Sequence, residues 1–201
     1  MPLPNWMKCD VNEPLQTTLA DITSFLQGER MPFALIGGQA TSLRGEQRVT
    51  ADIDIVLAAD VAQALDLVNR LDDSRFKPLF ADVADVVERA FILPLRHRTT
   101  NIKVDLAIGL SGFERQAVAR AELIDLAGCH IPVASSEDLI IMKLLAGRPR
   151  DEQDICGLVV AQGERLDWDY CERIATELGA ALGIDLAGRI RTLRGETIGD
   201  G

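Results

Sequence analysis

The chain reads FALIGG at residues 33–38 and DIDIVL at residues 52–57, and these two stretches decide its fold. The first is a short apolar run that ends at two glycines, which is typical of a buried strand followed by a tight turn. The second alternates acidic and aliphatic residues before it becomes apolar, as in a strand with polar groups at one end of one face. The thirteen residues between Gly38 and Asp52 suffice for a short helix and a return to a neighbouring strand. We therefore predict that the glycine pair and the acidic residues meet at one sheet edge.

The remaining segments predict an α/β (α+β) fold in which helices flank a mixed central sheet. Apolar residues at helical spacing predict helices, and short alternating or apolar runs bounded by turn residues predict strands. The predicted helices are 13–27, 39–43, 60–71, 83–89 and 139–146, and the predicted strands are 33–36, 52–57, 76–80, 91–95 and 102–108. From Ser135 onward the pattern is helical, with breaks at residues 147–149, 163 and 183.

The composition limits the chemistry that the chain can carry. With 201 residues, of which 47% are hydrophobic, it has enough apolar material for one good core and a smaller lobe. Neither a membrane span nor a signal peptide is evident, so we expect a cytoplasmic protein. The four cysteines and two histidines have no zinc-finger or disulfide-framework spacing, and His97 is expected to be partly exposed and structural. Acidic side chains must therefore carry most of the chemistry.

The net charge of −10 disfavours non-specific binding to a polyanion, because nucleic-acid-binding proteins usually present a basic face. A long RNA partner would need a local basic patch. The candidate arginine clusters are Arg44 with Arg48, Arg96 with Arg98, and Arg148 with Arg150. Such clusters are more often solvated or paired surface, so spacing alone assigns them no function.

Asp52 and Asp54 are the first candidate site residues. Residues two apart on a strand point to the same face, so both carboxylates would project side by side. Such like charges repel, and a hard divalent cation with oxygen ligands would stabilise them. The alternative is that one acid caps a turn and the other faces water. Upstream, Gly37 and Gly38 offer bare backbone N–H groups and the positive end of a helix to a phosphate.

This pattern resembles the signature of the nucleotidyltransferase superfamily. In that signature a hydrophobic residue precedes Gly-Gly, and a gap of this length separates the glycines from an Asp-hydrophobic-Asp motif. This superfamily includes DNA polymerase beta, tRNA nucleotidyltransferases and antibiotic nucleotidyltransferases. Its signature requires a third acid on a later strand, and Asp105 within KVDLAI at residues 103–108 matches it. Strand alternation places Lys103 on the same face as Asp105. The resemblance implies that Asp52, Asp54 and Asp105 are catalytic metal ligands, although an isolated Asp in a strand is usually an edge residue.

The resemblance is closer to stand-alone bacterial nucleotidyltransferases of the abortive-infection (AbiEii-like) type, which include toxins of toxin–antitoxin pairs. The similar stretches are GQA at 38–40, RVTADID at 48–54, EDLIIMK at 137–143 and RPRDEQDI at 148–155. Arg44 departs from the pattern, since many relatives have a histidine there. The residues that the resemblance implies as nucleotide contacts are Gly37, Gly38, Gln39, Arg48, Thr50, Lys143, Arg150 and Asp151. For Lys143 the alternative is a surface lysine, and for Asp151 it is a helix cap.

The implied activity is transfer of a nucleoside monophosphate from an NTP to a hydroxyl acceptor, with Mg²⁺ or Mn²⁺ as cofactor. The acceptor would be tRNA or another RNA in a toxin–antitoxin or phage-defence setting, with a cognate antitoxin as protein partner. One alternative is a small-molecule, aminoglycoside-like acceptor, which the acidic surface favours. Another is a catalytically silent binding module. The implied division is a nucleotidyltransferase core with an N-terminal helix over residues 1–133, and a helical part packed on it over residues 134–201.

Overall fold

The computed structural model describes residues 13–45, 50–126 and 128–199, and its strands join into one sheet. The strands are β1 (Phe33–Ile36), β2 (Ile53–Leu57), β3 (Phe76–Pro78), β4 (Ile92–His97), β5 (Lys103–Ile108), β6 (Glu122–Leu126) and β7 (Cys129–Val133). The helices are α1 (Glu13–Gly28), α2 (Gly37–Arg44), α3 (Val61–Val68), α4 (Val83–Ala90), α5 (Gly112–Ala119), α6 (Ser136–Ala146), α7 (Pro149–Gln162), α8 (Trp168–Leu182) and α9 (Leu186–Gly199). In the described part of the chain, every helix is too short or too polar to serve as a membrane span.

The described residues form two compact units. One unit contains those within 1–39 and 49–134, which include the whole sheet and helices α1, α3, α4 and α5. The other contains those within 40–48 and 135–201, which include most of α2 and helices α6 to α9. The chain thus passes from the first unit to the second within α2, after Gln39.

The sheet runs in the order β3-β4-β5-β2-β1-β7-β6 and mixes parallel with antiparallel pairs. β2 is parallel to β5, and β1 is parallel to β7, whereas the other neighbouring strands are antiparallel. This topology confirms the predicted α/β fold with a mixed central sheet. It also places β2 between β1, which leads into the glycine pair, and β5, which carries the third acid.

Apolar residues at the predicted helical and strand spacing form the core of the first unit. In α1 the buried residues include Leu15, Leu19, Ile22 and Leu26, which recur at helical spacing along one face. In β5 the even-numbered residues are buried and the odd-numbered residues from Lys103 onward are partly exposed. One face of β5 therefore packs into the core, while the other keeps its polar side chains accessible.

Sequence patterns miss three elements, α5, β6 and β7. Only Leu126 is buried in β6, which lies at the sheet edge, so the strand shows no apolar alternation. β7 contains Pro132, a residue that argues against a central strand because it cannot donate to the ladder. Boundaries also shift slightly: β2 begins at Ile53, so Asp52 lies just before the strand rather than within it.

His97 is buried, with 1% of its surface exposed, and the expectation of a partly exposed histidine is wrong. Its Nδ1 accepts a hydrogen bond from the Thr100 backbone N–H at 3.0 Å, and its Nε2 lies 2.9 Å from Asp21 Oδ2. Because Nδ1 is an acceptor, Nε2 carries the proton and donates it to the Asp21 carboxylate. The histidine thereby ties the end of β4 to α1 and has a structural role.

A buried carboxylate anchors the second unit. Asp138 is fully buried near the start of α6, where it accepts hydrogen bonds from the Ser135 hydroxyl at 3.0 Å and the Tyr170 hydroxyl at 2.5 Å. These donors satisfy a charge that would otherwise be expensive to bury. Trp168 and Tyr170 are 9% and 5% exposed, so both aromatic side chains pack in the interior at the start of α8.

Candidate active site

Carboxylates converge where β2 and β5 run side by side. Asp54 on β2 lies in direct register with Asp105 on β5, and on its other side it pairs with Ile36 at the end of β1. Residues in register on adjacent strands point to the same face of the sheet, so the two carboxylates are neighbours. Asp52 is exposed just before β2, close enough for its charge to act on Asp54. The structure thus places Asp54 and Asp105 side by side, with Asp52 within electrostatic range of Asp54.

The environment of the acidic cluster, which we define as Asp52, Asp54 and Asp105, changes the pKa of Asp54. Burial raises the pKa of Asp54 above its ordinary value of 3.8, and the charges of Asp105 and Asp52 raise it further. The backbone N–H of Gly38 donates a hydrogen bond to the Asp54 carboxylate and, together with Lys103, opposes this rise. The carboxylate is therefore held in place by the glycine turn but lacks full compensation for its charge.

Gly37 is required by the close approach of Asp54. Its φ of +65° lies in the left-handed region, and a Cβ atom built on it would lie 2.1 Å from Asp54 Oδ2. A side chain there would be strained and would collide with the carboxylate. A side chain at Gly37 would therefore disturb Asp54 directly, whether or not a phosphate is bound.

A lysine forms an ion pair within the acidic cluster. Lys103 Nζ lies 2.6 Å from Asp105 Oδ2, and the two side chains are 33% and 23% exposed. The hydrogen bond to Asp105 is the main reason that the pKa of Lys103 is raised, and burial partly opposes it. Sequence reasoning did not identify this pair, although the alternation in KVDLAI places both residues on one face.

The second carboxylate oxygen of Asp105, Oδ1, helps to decide whether the acidic cluster could bind a metal ion. Asp105 Oδ1 is buried and accepts no hydrogen bond from the described residues. Among those residues, no three His, Cys, Asp or Glu side chains are arranged as a complete metal-binding group. Nevertheless, an unpaired buried carboxylate oxygen beside two further acids is the donor chemistry that Mg²⁺ and Mn²⁺ prefer. The residues present therefore fit a hard divalent cation.

Gln39 and Thr50 contact each other across the connection between α2 and β2. The Gln39 amide Nε2 donates to the Thr50 carbonyl oxygen at 3.0 Å and lies 2.5 Å from the Thr50 hydroxyl. Gln39 is 4% exposed. The pair therefore fixes the chain just before Asp52 against the first turn of α2. Arg48, the other predicted nucleotide contact in this connection, lies outside the described residues.

The predicted contacts in the second unit centre on a buried ion pair. Lys143 is 5% exposed, so the alternative of a surface lysine is wrong. Its Nζ lies 2.5 Å from Asp154 Oδ2 and 3.6 Å from Asp151 Oδ1. Arg150, in contrast, is exposed at the start of α7.

Asp151 also caps α7. Its Oδ2 accepts hydrogen bonds from the backbone N–H of Arg148 at 3.1 Å and from Arg148 Nε at 2.7 Å. Burial alone would raise the pKa of Asp151, but these hydrogen bonds and the positive charges of Arg148 and Lys143 hold it below 3.8. The structure therefore shows the cap that was the alternative to a nucleotide contact.

The candidate basic clusters are partly engaged in contacts within the chain. Arg96 Nη1 donates to the Asn101 carbonyl at 2.9 Å, and Arg98 Nε donates to the Ser74 carbonyl at 3.2 Å. Both contacts are exposed, so the charged groups remain at the surface.

Comparison with solved structures finds the same fold in nucleotidyltransferase-like proteins. An antigenic nucleotidyltransferase-like protein from Paracoccidioides brasiliensis aligns with a TM-score of 0.53 at 18% identity, over 87% of this chain and 92% of that one. The antibiotic-resistance factor ANT(2'')-Ia, in its solution structure, aligns with a TM-score of 0.50 at 15% identity, over 92% and 94% of the two chains. Identities this low establish likeness of fold alone.

No curated protein sequence matches the chain. The model of one protein family matches it over residues 15–194, which contain the glycine pair, the acidic cluster and helices α6 to α8. The chain therefore belongs to this family, which is described as nucleotidyltransferase of unknown function (DUF6036).

Proposed function

We propose that the chain transfers a nucleoside monophosphate from an NTP to a hydroxyl acceptor, with Mg²⁺ or Mn²⁺ held by Asp52, Asp54 and Asp105. The observation that carries this proposal is the register of Asp54 with Asp105 beside the Gly37 turn, together with the unpaired buried oxygen of Asp105. Acids that repel one another on adjacent central strands are retained most simply when cations and phosphates complete the site. Membership of a nucleotidyltransferase family agrees with this chemistry.

In the proposed reaction, the acceptor oxygen forms a bond to the α-phosphorus, the bond from that phosphorus to the bridging oxygen breaks, and pyrophosphate leaves. Asp105 takes the proton of the attacking hydroxyl. The hydrogen bond from the Gly38 N–H keeps the Asp54 carboxylate oriented toward the site. When bound, the divalent cations supply positive charge to the phosphoryl oxygens, where negative charge develops in the transition state.

We assign the nucleotide contacts to the residues that resemble those of the abortive-infection (AbiEii-like) type: Gly37, Gly38, Gln39, Arg48, Thr50, Lys143, Arg150 and Asp151. The support differs among them. Gly37 and Gly38 stand next to Asp54, and Gln39 with Thr50 holds the chain that leads to Asp52. Lys143 and Asp151 already neutralise each other in part, so Lys143 has the weaker support for direct neutralisation of phosphate charge.

The activity test measures transfer of label from α-labelled NTP in the presence of Mg²⁺ or Mn²⁺. Asp54→Asn and Asp105→Asn remove one ligand charge each with little change in volume. Both variants should lose at least about 100-fold in rate, as expected when a group that stabilises developing charge is removed. Asp66→Asn, a change at an exposed acid on α3, serves as the matched control and should retain the parental rate. Parental rates in Asp54→Asn and Asp105→Asn would refute the assignment.

For the acceptor we propose tRNA or another RNA, in a toxin–antitoxin or phage-defence setting with a cognate antitoxin. The support is the resemblance of residues 38–54 and 137–155 to toxin-type nucleotidyltransferases, since a docked RNA needs only one basic patch on an otherwise acidic protein. The net charge of −10 favours the second candidate, a small hydroxylated molecule such as an aminoglycoside. Incubation with each labelled NTP and either total RNA or an aminoglycoside panel separates the two.

A catalytically silent binding module is the third candidate. All three acids are present in the sequence, and the charges of Asp105 and Asp52 act unfavourably on Asp54, from which a silent site gains nothing. Calorimetry with Mg²⁺ and each NTP distinguishes these cases, because the enzyme should bind nucleotide in a metal-dependent way. Nucleotide binding that is absent, or independent of metal, would favour the silent module.

A further inference from the structure

Lys103 is a charged residue beside the acidic cluster, and the proposed reaction does not use it. It precedes Asp105 by two residues on β5, and its ammonium lies 2.6 Å from Asp105 Oδ2. Its positive charge also acts on Asp52 and Asp54. The ammonium therefore serves all three members of the cluster, not Asp105 alone.

The contact leaves the cluster only partly neutralised. The Lys103 ammonium engages one oxygen of Asp105, while the other oxygen is buried and accepts no hydrogen bond from the part of the chain that the structure describes. A divalent cation beside Asp105 would meet the repulsion of this ammonium at close range. Lysine, which carries its charge on a flexible four-carbon stem, can move that charge into water, and a third of this side chain is already exposed.

We propose that Lys103 is an internal counter-cation. Its ammonium pairs with the Asp105 carboxylate when the divalent cation is absent, and this ion pair must break when the cation binds. This inference rests on the proposed function, because it assumes that the acidic cluster is the metal site. Lys103 then acts as a positioning residue: it keeps the carboxylates together in the free protein and makes metal binding weaker than the carboxylates alone would allow. Partly exposed ion pairs are weak, so the exchange costs little.

The test compares Mn²⁺ affinity, in the absence of nucleotide, for the wild type and three variants. Lys103→Met keeps the length of the side chain and removes its charge, and it should bind Mn²⁺ about two- to fivefold more tightly. Lys103→Arg keeps the charge and should remain near the wild type. Lys77→Met, on the exposed position of β3, is the matched control and should not change the affinity. Unchanged or weaker binding by Lys103→Met would overturn the proposal.

Thermal unfolding gives a second readout that does not depend on activity. In EDTA, Lys103→Met should melt below the wild type, because the carboxylates lose their counter-cation, and Mn²⁺ should raise its melting temperature by more than it raises that of the wild type. Equal Mn²⁺ shifts in the two proteins would contradict the inference.

Failure of this inference is distinguishable from failure of the proposed function. If wild type binds Mn²⁺ in a way that Asp54→Asn abolishes, and Lys103→Met changes nothing, only the role of Lys103 is wrong. If neither the wild type nor Lys103→Met binds Mn²⁺, the proposed metal site is wrong, and the role of Lys103 falls with it.

Discussion

Substitution of Gly37 by alanine tests the tightest contact of the candidate site. The backbone at Gly37 has a φ of +65°, and an added Cβ would lie 2.1 Å from Asp54 Oδ2 and 2.7 Å from Asp54 Cβ. A non-glycine residue in the left-handed region costs about 1–2 kcal/mol. Overpacking against a neighbour that cannot move away costs about 1–3 kcal/mol more. Because Asp54 Cβ belongs to a central strand, relief by rotation of the carboxylate alone is incomplete.

Gly37→Ala should therefore lower the free energy of unfolding by about 2–5 kcal/mol. The measurement is urea denaturation in EDTA, followed by circular dichroism, so that metal binding does not contribute. Gly112→Ala is the matched control, since nothing lies within 4 Å of the added Cβ at the first residue of α5. That control should be neutral or slightly stabilising. A loss below about 1 kcal/mol for Gly37→Ala would refute the reasoning from close approach and backbone strain.

Two further predictions concern the second unit. Tyr170→Phe removes the hydroxyl that donates to buried Asp138 and should lower the free energy of unfolding by about 1–3 kcal/mol; a loss below about 0.5 kcal/mol in urea denaturation would contradict this. Asp151→Asn should cost about 0.5–2 kcal/mol at pH 7 through the weakened α7 cap. Because the Arg148 hydrogen bonds hold the pKa of Asp151 below 3.8 against burial, the ionised carboxylate stabilises the fold above that pH. The stability gap between wild type and Asp151→Asn should narrow as the pH falls below 3.8, and a gap that widens there would be inconsistent with this cause.

Sequence patterns predict the central strands well because those strands combine a buried apolar face with candidate site residues. β1 matches its predicted bounds, and β5 shows the expected alternation of buried and accessible residues. The edge of the sheet was not predictable in the same way. β6 buries little apolar surface and β7 contains Pro132, so neither carries the signal on which strand prediction depends.

The candidate site was predictable at the level of spacing but not of contacts. Spacing alone predicts that Asp52 and Asp54 share one face, whereas Asp105 was identified only through the resemblance, because its own spacing does not distinguish it from an ordinary strand residue. The ion pair of Lys103 with Asp105 and the close approach of Asp54 to Gly37 depend on interatomic distances that spacing does not specify. Burial of His97 was likewise missed, because its partner Asp21 lies 76 residues away in the sequence.

The most direct test of the central claim is an anomalous difference map from crystals grown with Mn²⁺ and a non-hydrolysable NTP. The account predicts an anomalous peak about 2 Å from carboxylate oxygens of both Asp54 and Asp105, with the triphosphate beside Gly37 and Gly38. A bound triphosphate with no Mn²⁺ peak at these two carboxylates, or with Lys103 still paired to Asp105 in its place, would contradict it.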